Sequence, residues 1–164
     1  NNKVIDNYTI FANIFLNGTE LTIIGVHFLP PVNQFLLNYY SYLHVKFSNI
    51  SKPETIPKAD FNFAIKQMEY VKTLVNNNNQ NIIVMGDLNM TATSKRFTNF
   101  LKETNLYTYV SYKHPTFTWP TFLPGFLGIQ IDHVLFSKSL KVIKKKTINQ
   151  LGSDHRPLIV ELAF

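Results

Sequence analysis

Two polar residues follow a short apolar run and are the first candidates for chemistry. Asp87 and Asn89 lie in the segment Gly86-Asp87-Leu88-Asn89, directly after the run at 82–85. In an extended segment they would point to one side, with Leu88 pointing into the core between them. A carboxylate beside an amide can orient a water molecule or a phosphate oxygen. Asp and Asn are also favoured in turns and at helix N-termini, and on this segment alone that structural interpretation is favoured.

A second polar segment, Gly152-Ser153-Asp154-His155-Arg156-Pro157, precedes the last apolar run. Neighbouring side chains on a strand face opposite ways, so Asp154 and His155 share a site only if the chain turns, which Gly152 permits. A histidine can act as a general base near neutral pH, and an aspartate can ligate a hard cation such as Mg²⁺. The alternative is an Asp154 that caps a turn and a His155 that is an ordinary surface imidazole; the segment alone leaves both open.

A third carboxylate, Asp132, interrupts the apolar run Ile131–Phe136. A buried carboxylate is costly unless it is paired. If Asp132 faces His155, it would fix the imidazole tautomer and stabilise the protonated ring. His133 would then face the other side in a structural role. His27, at the end of its own β-rich run, could donate a hydrogen bond to a phosphate oxygen.

These residues need a scaffold, and the apolar pattern predicts one. Asn17-Gly18 between two β-rich runs is a strong hairpin signal, and Pro30-Pro31 ends the second arm. Apolar periodicity predicts helices at 59–75 and 94–103 and further strands at 82–85, 131–136, 140–148 and 157–162. An aromatic stretch at 35–47 and a proline-bearing link at 51–57 separate the hairpin from the first helix. Strands with helices that must cover them indicate a layered α/β domain.

Composition sets limits on function. The chain has 164 residues, which suits one compact domain, and 45% of them are hydrophobic. A net charge of +6 weakly favours polyanionic partners. The absence of cysteine excludes disulfides, thiolate zinc sites and cysteine nucleophiles. No apolar run reaches the roughly 18–20 residues of a membrane span, and the polar start is unlike a signal peptide.

Three motifs in this order resemble the last three signature motifs of the endonuclease/exonuclease/phosphatase superfamily: Gly86-Asp87-Leu88-Asn89, Ile131-Asp132-His133-Val134-Leu135 and Ser153-Asp154-His155-Arg156-Pro157. The strand end at 26–31, which carries His27, is similar to the nuclease-like members. Thr118-Trp119-Pro120 resembles a segment common in bacterial, often membrane-anchored, members. The resemblance implies an α/β fold, the C-terminal portion of a four-layer α/β/β/α sandwich with a mostly antiparallel sheet flanked by helices.

The resemblance also implies a reaction, the Mg²⁺-assisted (or Mn²⁺-assisted) hydrolysis of a phosphoester. In it His155 would be the general base on water and Asp132 would orient it. Asp154 would serve the metal, together with Asp87, which also aligns the nucleophile. The remaining roles are scissile-phosphate binding by Asn89 and His27, and a substrate pocket formed by Trp119 and Arg156. The substrate stays open between nucleic acid, a lipid headgroup and a small phosphate ester.

One departure from the family pattern shapes the remaining expectations. The family's earlier half, with its metal-binding Glu, has no counterpart before Val26, so 1–164 is expected to be a single, N-terminally truncated domain that is inactive alone. The apolar inner faces around Ile83, Val134 and Leu158 would then bind the missing half or a second copy. The expected context is a soluble domain of a membrane-anchored or exported bacterial protein. The alternative function is a non-catalytic half-domain that binds phosphate or nucleic acid.

Overall fold

The fold is taken from a computed structural model that describes residues 3–6, 9–30, 61–78, 81–110, 116–148 and 152–164. The aromatic stretch at 35–47 and the link at 51–57 lie outside these described residues. Within the described ranges, no helix is both long and apolar enough to cross a lipid bilayer.

A six-stranded sheet forms the centre of the domain, in the order β1-β2-β3-β4-β6-β5. Its strands are β1 (Lys3–Asp6), β2 (Thr9–Leu16), β3 (Thr19–His27), β4 (Asn81–Asp87), β5 (Tyr107–Thr108) and β6 (Asp132–Phe136). A second sheet pairs β7 (Lys141–Thr147) with β8 (Leu158–Ala163). Every pairing is antiparallel except that of β3 with β4. The predicted α/β class with a mostly antiparallel sheet is confirmed.

The hairpin predicted from Asn17-Gly18 is present between β2 and β3. Asn17 and Gly18 both have positive φ, 51° and 79°, as a two-residue turn of the favoured hairpin type requires. The turn sets the register, in which Phe11 pairs with Ile24 and Leu16 with Thr19. This register fixes which face of β3 turns toward the helices.

Two helices cover one face of the central sheet. They are α1 (Phe61–Asn76) and α2 (Lys95–Thr104), close to the predicted bounds. α2 begins at Ser94, whose side-chain oxygen accepts a hydrogen bond from the Phe97 N–H at 3.2 Å, and ends at Asn105 in the left-handed conformation. The core on this face includes residues from both helices and from three strands: Val71, Val75, Phe97, Phe100, Ile24, Val84 and Leu135.

The opposite face of the central sheet packs against the β7–β8 pair. Ile83 is buried there, and Val134 and Leu158 pack against the same cluster. The prediction that these three residues present an open apolar face is therefore wrong, because the β7–β8 pair, which carries Leu158, packs against the face that carries Ile83 and Val134. The large apolar side chains left exposed on this face of the sheet belong to β2 instead: Ile10, Ile14 and Leu16.

Gly86 allows the one parallel pairing in the sheet to close tightly. It has a φ of 136°, and a Cβ at this position would lie 2.0 Å from the carbonyl oxygen of Val26 on β3. Only glycine tolerates both the conformation and the approach. Because Asp87 follows directly, this contact also fixes where the candidate site begins.

We predict that Gly86→Ala destabilises the fold by at least about 2 kcal/mol, since the backbones of β3 and β4 must separate. Gly125→Ala is the matched control, because its Cβ would meet nothing within 4 Å and its φ is not positive. Urea denaturation of both variants provides the measurement. Equal unfolding midpoints for the two would contradict the role given to Gly86.

Candidate active site

Three candidate residues form a single row across the edge of the central sheet. β3 and β4 pair so that His27 lies beside Asp87, and β4 and β6 pair so that Asp87 lies opposite Asp132. Paired residues point to the same face of a sheet, so the row is a property of strand register. His27 and Asp87 are the last residues of β3 and β4, and Asp132 is the first residue of β6.

His155 reaches this row from the turn before β8. Its Nδ1 lies 2.9 Å from Oδ2 of Asp132, and its Nε2 lies 3.9 Å from Oδ2 of Asp87. Asp132 accepts the Nδ1–H, so the Nε2 lone pair points to the open side of the site. His133, the next residue on β6, faces the other way, where its Nε2 meets the Met90 carbonyl at 2.7 Å and its ring packs on Phe97. The structural role predicted for it agrees with this placement.

Asp87 and Asn89 form a hydrogen-bonded turn at the candidate site. The Asn89 N–H donates to Oδ1 of Asp87 at 2.8 Å, and its Nδ2 donates to Oδ2 of Asp87 at 3.1 Å and to the Phe28 carbonyl at 2.7 Å. Asn89 has a φ of 49°, while Leu88 between them is buried in the core as predicted. In this geometry Asn89 holds the Asp87 carboxylate. Its predicted contact with the scissile phosphate stays a prediction.

Burial and mutual proximity shift the titration of the carboxylates in opposite directions. Burial raises the pKa of Asp87 to about 7, and the neighbouring Asp132 adds to the rise, although the Asn89 N–H opposes it. Burial alone would also raise the pKa of Asp132. Hydrogen bonds from His155 and Thr118 outweigh it and hold that pKa below its ordinary value.

The two histidines also shift in opposite directions. Burial would lower the pKa of His155, but the hydrogen bond and charge of Asp132 raise it above the usual value. Burial, and then the charge of His155, lower the pKa of His27. The pKa of one imidazole of the site is therefore raised, and that of the other is lowered.

Asp154 and Trp119 close a second side of the site. The Trp119 Nε1–H donates to Oδ2 of Asp154 at 3.1 Å, and the indole lies 6.4 Å from the His155 ring between centroids. The structure thus brings Trp119 to the site wall. The predicted metal role of Asp154 and pocket role of Trp119 stay predictions.

Arg156 is buried rather than open to the site. Its guanidinium donates to the carbonyls of Pro120, Thr121 and Leu123, at 3.0, 3.3 and 2.8 Å. These contacts hold the segment that follows Trp119. A direct contact of Arg156 with substrate stays a prediction, while the contacts present give it a positioning role.

Thr118 supports the site, although no pattern in the sequence singles out its hydroxyl. It is fully buried, and its Oγ accepts hydrogen bonds from the backbone N–H groups of Ile131 and Asp132, both at 3.2 Å. It thereby fixes the start of β6, where Asp132 stands. Its only sequence signal was its place in the Thr118-Trp119-Pro120 segment.

Asp87, Asp132 and His155 could hold a metal ion. One ligand atom from each lies within 4.8 Å of the others. The set includes Asp132, which was predicted only to orient His155. Mg²⁺ is commonly held by one or two carboxylates together with water and substrate phosphate, so the two carboxylates of this group fit a hard divalent cation.

Residues 8–155 match the sequence profile of the Endonuclease/Exonuclease/phosphatase family. The chain belongs to this family. No curated protein matches it in sequence. The profile covers the row His27–Asp87–Asp132 and ends at His155, so all four residues lie within the region that the family shares.

Solved structures of low sequence identity share the family's fold. A family protein from Leptotrichia buccalis has a TM-score of 0.61 at 18% identity, over 95% of this chain and 54% of that one. The mannosyl-6-phosphatase Bt3783 of Bacteroides thetaiotaomicron has 0.53 at 19%, over 95% and 57%. A Staphylococcus aureus beta toxin variant with bound magnesium ions has 0.54 at 17%, over 92% and 56%. The chain thus spans about half the length of these structures.

We predict that Asp132→Asn lowers the pKa of His155, because the anion that raises it is lost. In the wild type this pair stabilises the fold fully below the unfolded-state histidine pKa, and the contribution is lost as pH rises through the higher folded-state pKa. An NMR titration of the His155 ring measures the change, with Glu161→Gln, an exposed β8 carboxylate, as control. An unchanged His155 pKa in Asp132→Asn would contradict the pairing.

Proposed function

We propose that this chain contributes the general base and phosphate-binding wall of a divalent-metal-dependent phosphoester hydrolase. The observation that carries the proposal is the contact of His155 with Asp132 beside the buried carboxylate of Asp87. Family membership supports hydrolysis as the reaction class. Because the chain spans about half of its structural relatives, the activity is proposed for the protein that contains it.

His155 is suited to take a proton from water. Its Nδ1–H is held by Asp132, so Nε2 is the atom that accepts the proton. Asp132 also stabilises the imidazolium that forms, which strengthens the base. A water molecule placed above Nε2 and Oδ2 of Asp87, which are 3.9 Å apart, can hydrogen-bond to both and is thereby aligned for attack.

The other end of the row is suited to the phosphate. The His27 Nε2 lies 3.7 Å from Oδ2 of Asp87, and its side chain is 62% exposed, so it can turn an N–H toward a phosphate oxygen. Asn89 would add its amide once a phosphate competes with its present partners. Donors aimed at the phosphoryl oxygens stabilise the charge that they gather in the transition state.

A divalent cation, Mg²⁺ or Mn²⁺, would polarise the phosphoryl oxygens and offset their charge when bound. Among the described residues, Asp87 and Asp132 are the carboxylates placed to hold it. Asp154 accepts a hydrogen bond from Trp119 at the wall of the same site. The magnesium-bound beta toxin variant, a relative in fold, supports this choice of ion. Trp119 would form one wall of the substrate pocket.

The substrate class includes both ester types. One relative in fold is a mannosyl-6-phosphatase, which indicates that the architecture accommodates a phosphomonoester. The net charge of +6 suits any polyanionic substrate. The proposal also includes the cellular context, a domain of a membrane-anchored or exported bacterial protein. It further includes association with additional protein or with a second copy of the chain.

We predict that His155→Ala, made in the complete protein that contains this chain, lowers kcat for bis-p-nitrophenyl phosphate by at least ~10²-fold, because the general base is lost. Added imidazole should restore part of the rate, which a merely structural defect would not allow. Glu161→Gln is the control and should keep the wild-type rate. A near-normal rate in folded His155→Ala would remove this residue from the mechanism.

We also predict that Mg²⁺ raises the melting temperature of the wild type, because the ion binds the folded state and offsets the charge of two buried carboxylates. Asp87→Asn should lose this Mg²⁺-dependent rise, and Glu161→Gln should keep it. Differential scanning fluorimetry across a Mg²⁺ titration gives the shift. If phosphate but not Mg²⁺ stabilises the wild type, the non-catalytic phosphate-binding alternative replaces the enzyme.

A further inference from the structure

A lysine, a tyrosine and a glutamine form a group of contacting side chains next to Asp132. The Gln130 Nε2 donates to the Tyr109 hydroxyl at 2.6 Å and to the Asp132 carbonyl at 3.3 Å. The Lys145 Nζ lies 4.9 Å from the centroid of the Tyr109 ring. These three residues are called the Lys145 cluster. No step of the proposed reaction uses them.

The Lys145 cluster and the candidate site border the same space between the two sheets. Residues two apart on a strand share a face, so Asp132 lies on the face of β6 that carries Val134 and Phe136. That face packs against the β7–β8 pair, and Tyr109 is buried in the same apolar cluster as Phe136. The Tyr109 hydroxyl therefore lies on the Asp132 side of this space.

Lys145 faces inward on β7, toward this space. It pairs with Val160 on β8, and Val160 packs against the apolar cluster that contains Tyr109. The next residue, Lys146, is exposed and pairs with Ile159, which is also exposed. This alternation is the ordinary consequence of strand geometry. Lys145 and Lys146 are thus neighbours in sequence on opposite faces of the sheet.

Two hydrogen-bond donors of this cluster suit an anion. The Lys145 ammonium is partly buried, which lowers its pKa, and its Nζ lies 3.5 Å from Oγ1 of the buried Thr116. A charge that is partly withdrawn from water attracts an anion more strongly than one in open solvent. The Tyr109 hydroxyl stays protonated, because burial and the nearby charge of Asp132 raise its pKa. It accepts from Gln130 and keeps its own proton to donate.

We propose that Lys145 and Tyr109 bind a second phosphate group of the substrate, beside the phosphoester that is hydrolysed. The inference rests on the proposed function, which places the scissile phosphate near His27 at the other end of the row. From His27 the row passes Asp87 and Asp132, and the next strand of the sheet is β5, which Tyr109 follows directly. A substrate that spans the row therefore meets a donor group at each end of the two carboxylates. Lysine is a common ligand of phosphate groups in proteins.

The alternative is that Lys145 only packs on Tyr109 and stabilises the fold through a cation–π contact. Lys145→Met separates the two roles, because it keeps an unbranched apolar stem over the ring and removes the ammonium. A purely structural lysine would change the urea unfolding midpoint and leave ligand selectivity as it is. A phosphate-binding lysine changes the selectivity itself.

The test compares alkane diphosphonates, with spacers from ethane to hexane, with alkyl monophosphonates of the same chain lengths. Carbon–phosphorus bonds are not hydrolysed by a phosphoesterase, so binding is measured apart from hydrolysis. Isothermal titration calorimetry is carried out on the complete protein that contains this chain, in excess Mg²⁺. We expect at least one diphosphonate to bind about tenfold more tightly than its monophosphonate, and Lys145→Met to remove most of this preference, because a charged hydrogen bond is lost.

The matched control is Lys146→Met, which removes the same charge from the outward face of the same strand. It should keep the preference for the diphosphonate, whereas Tyr109→Phe should lose part of it. Urea unfolding checks that each variant folds, and Lys145→Gln serves if Lys145→Met does not. An unchanged preference in the folded Lys145 variant, or an equal loss in Lys146→Met, would overturn the proposal.

The two proposals fail separately. A wild type that hydrolyses bis-p-nitrophenyl phosphate but prefers no diphosphonate would overturn the second phosphate position alone. A preference that depends on Lys145, without hydrolysis, would support this position and remove the enzyme. Competition by thymidine bisphosphate against its monophosphate, and by fructose bisphosphate against its monophosphate, distinguishes the source. A preference confined to the nucleotide pair indicates a nucleic acid, and one in the sugar pair indicates a small bisphosphate.

Discussion

The register between β4 and β6 places two carboxylates, Asp87 and Asp132, directly opposite one another. Like charges in cross-strand positions destabilise a sheet, and burial adds to that cost by removing water. The pKa of Asp87, raised to about 7, expresses both effects. Two hydrogen bonds offset part of this cost, one from His155 to Asp132 and one from Asn89 to Asp87. Together with His155, the two facing carboxylates form a group of side chains that could hold a cation.

The same constraint explains why the supporting contacts lie where they do. His155 can pair with Asp132 only if the turn before β8 is held against the start of β6. Thr118 fixes the β6 side through two backbone N–H groups, and the Arg156 N–H donates to the Thr118 carbonyl at 2.7 Å. The segment between Thr118 and Leu123 therefore ties both partners of the pair together. A substitution in this segment would therefore shift the position of His155 without changing that residue itself.

Local patterns in the sequence predicted the elements and most of the row, because periodicity, turn residues and strand ends are local signals. The hairpin, both helices and the buried strand β4 follow from spacing alone, whereas the short strands β1 and β5 carry too few residues for a period. The opposition of Asp87 and Asp132 depends on pairing between strands 45 residues apart, which no local pattern contains. For the same reason the sequence left Ile83 on an open face, although β7 and β8 return to cover it.

The chain departs from a stability optimum at two places, the candidate site and the exposed segment that follows Trp119. Two half-buried carboxylates lie opposite one another at the site, and the segment after Trp119 exposes Phe126 and Leu127 to water. Arg156 links the two places, because it follows His155 in sequence and its guanidinium donates to the carbonyls of Pro120 and Leu123. Facing carboxylates and exposed apolar side chains both lower stability, so their presence at adjacent positions indicates selection for binding rather than for stability.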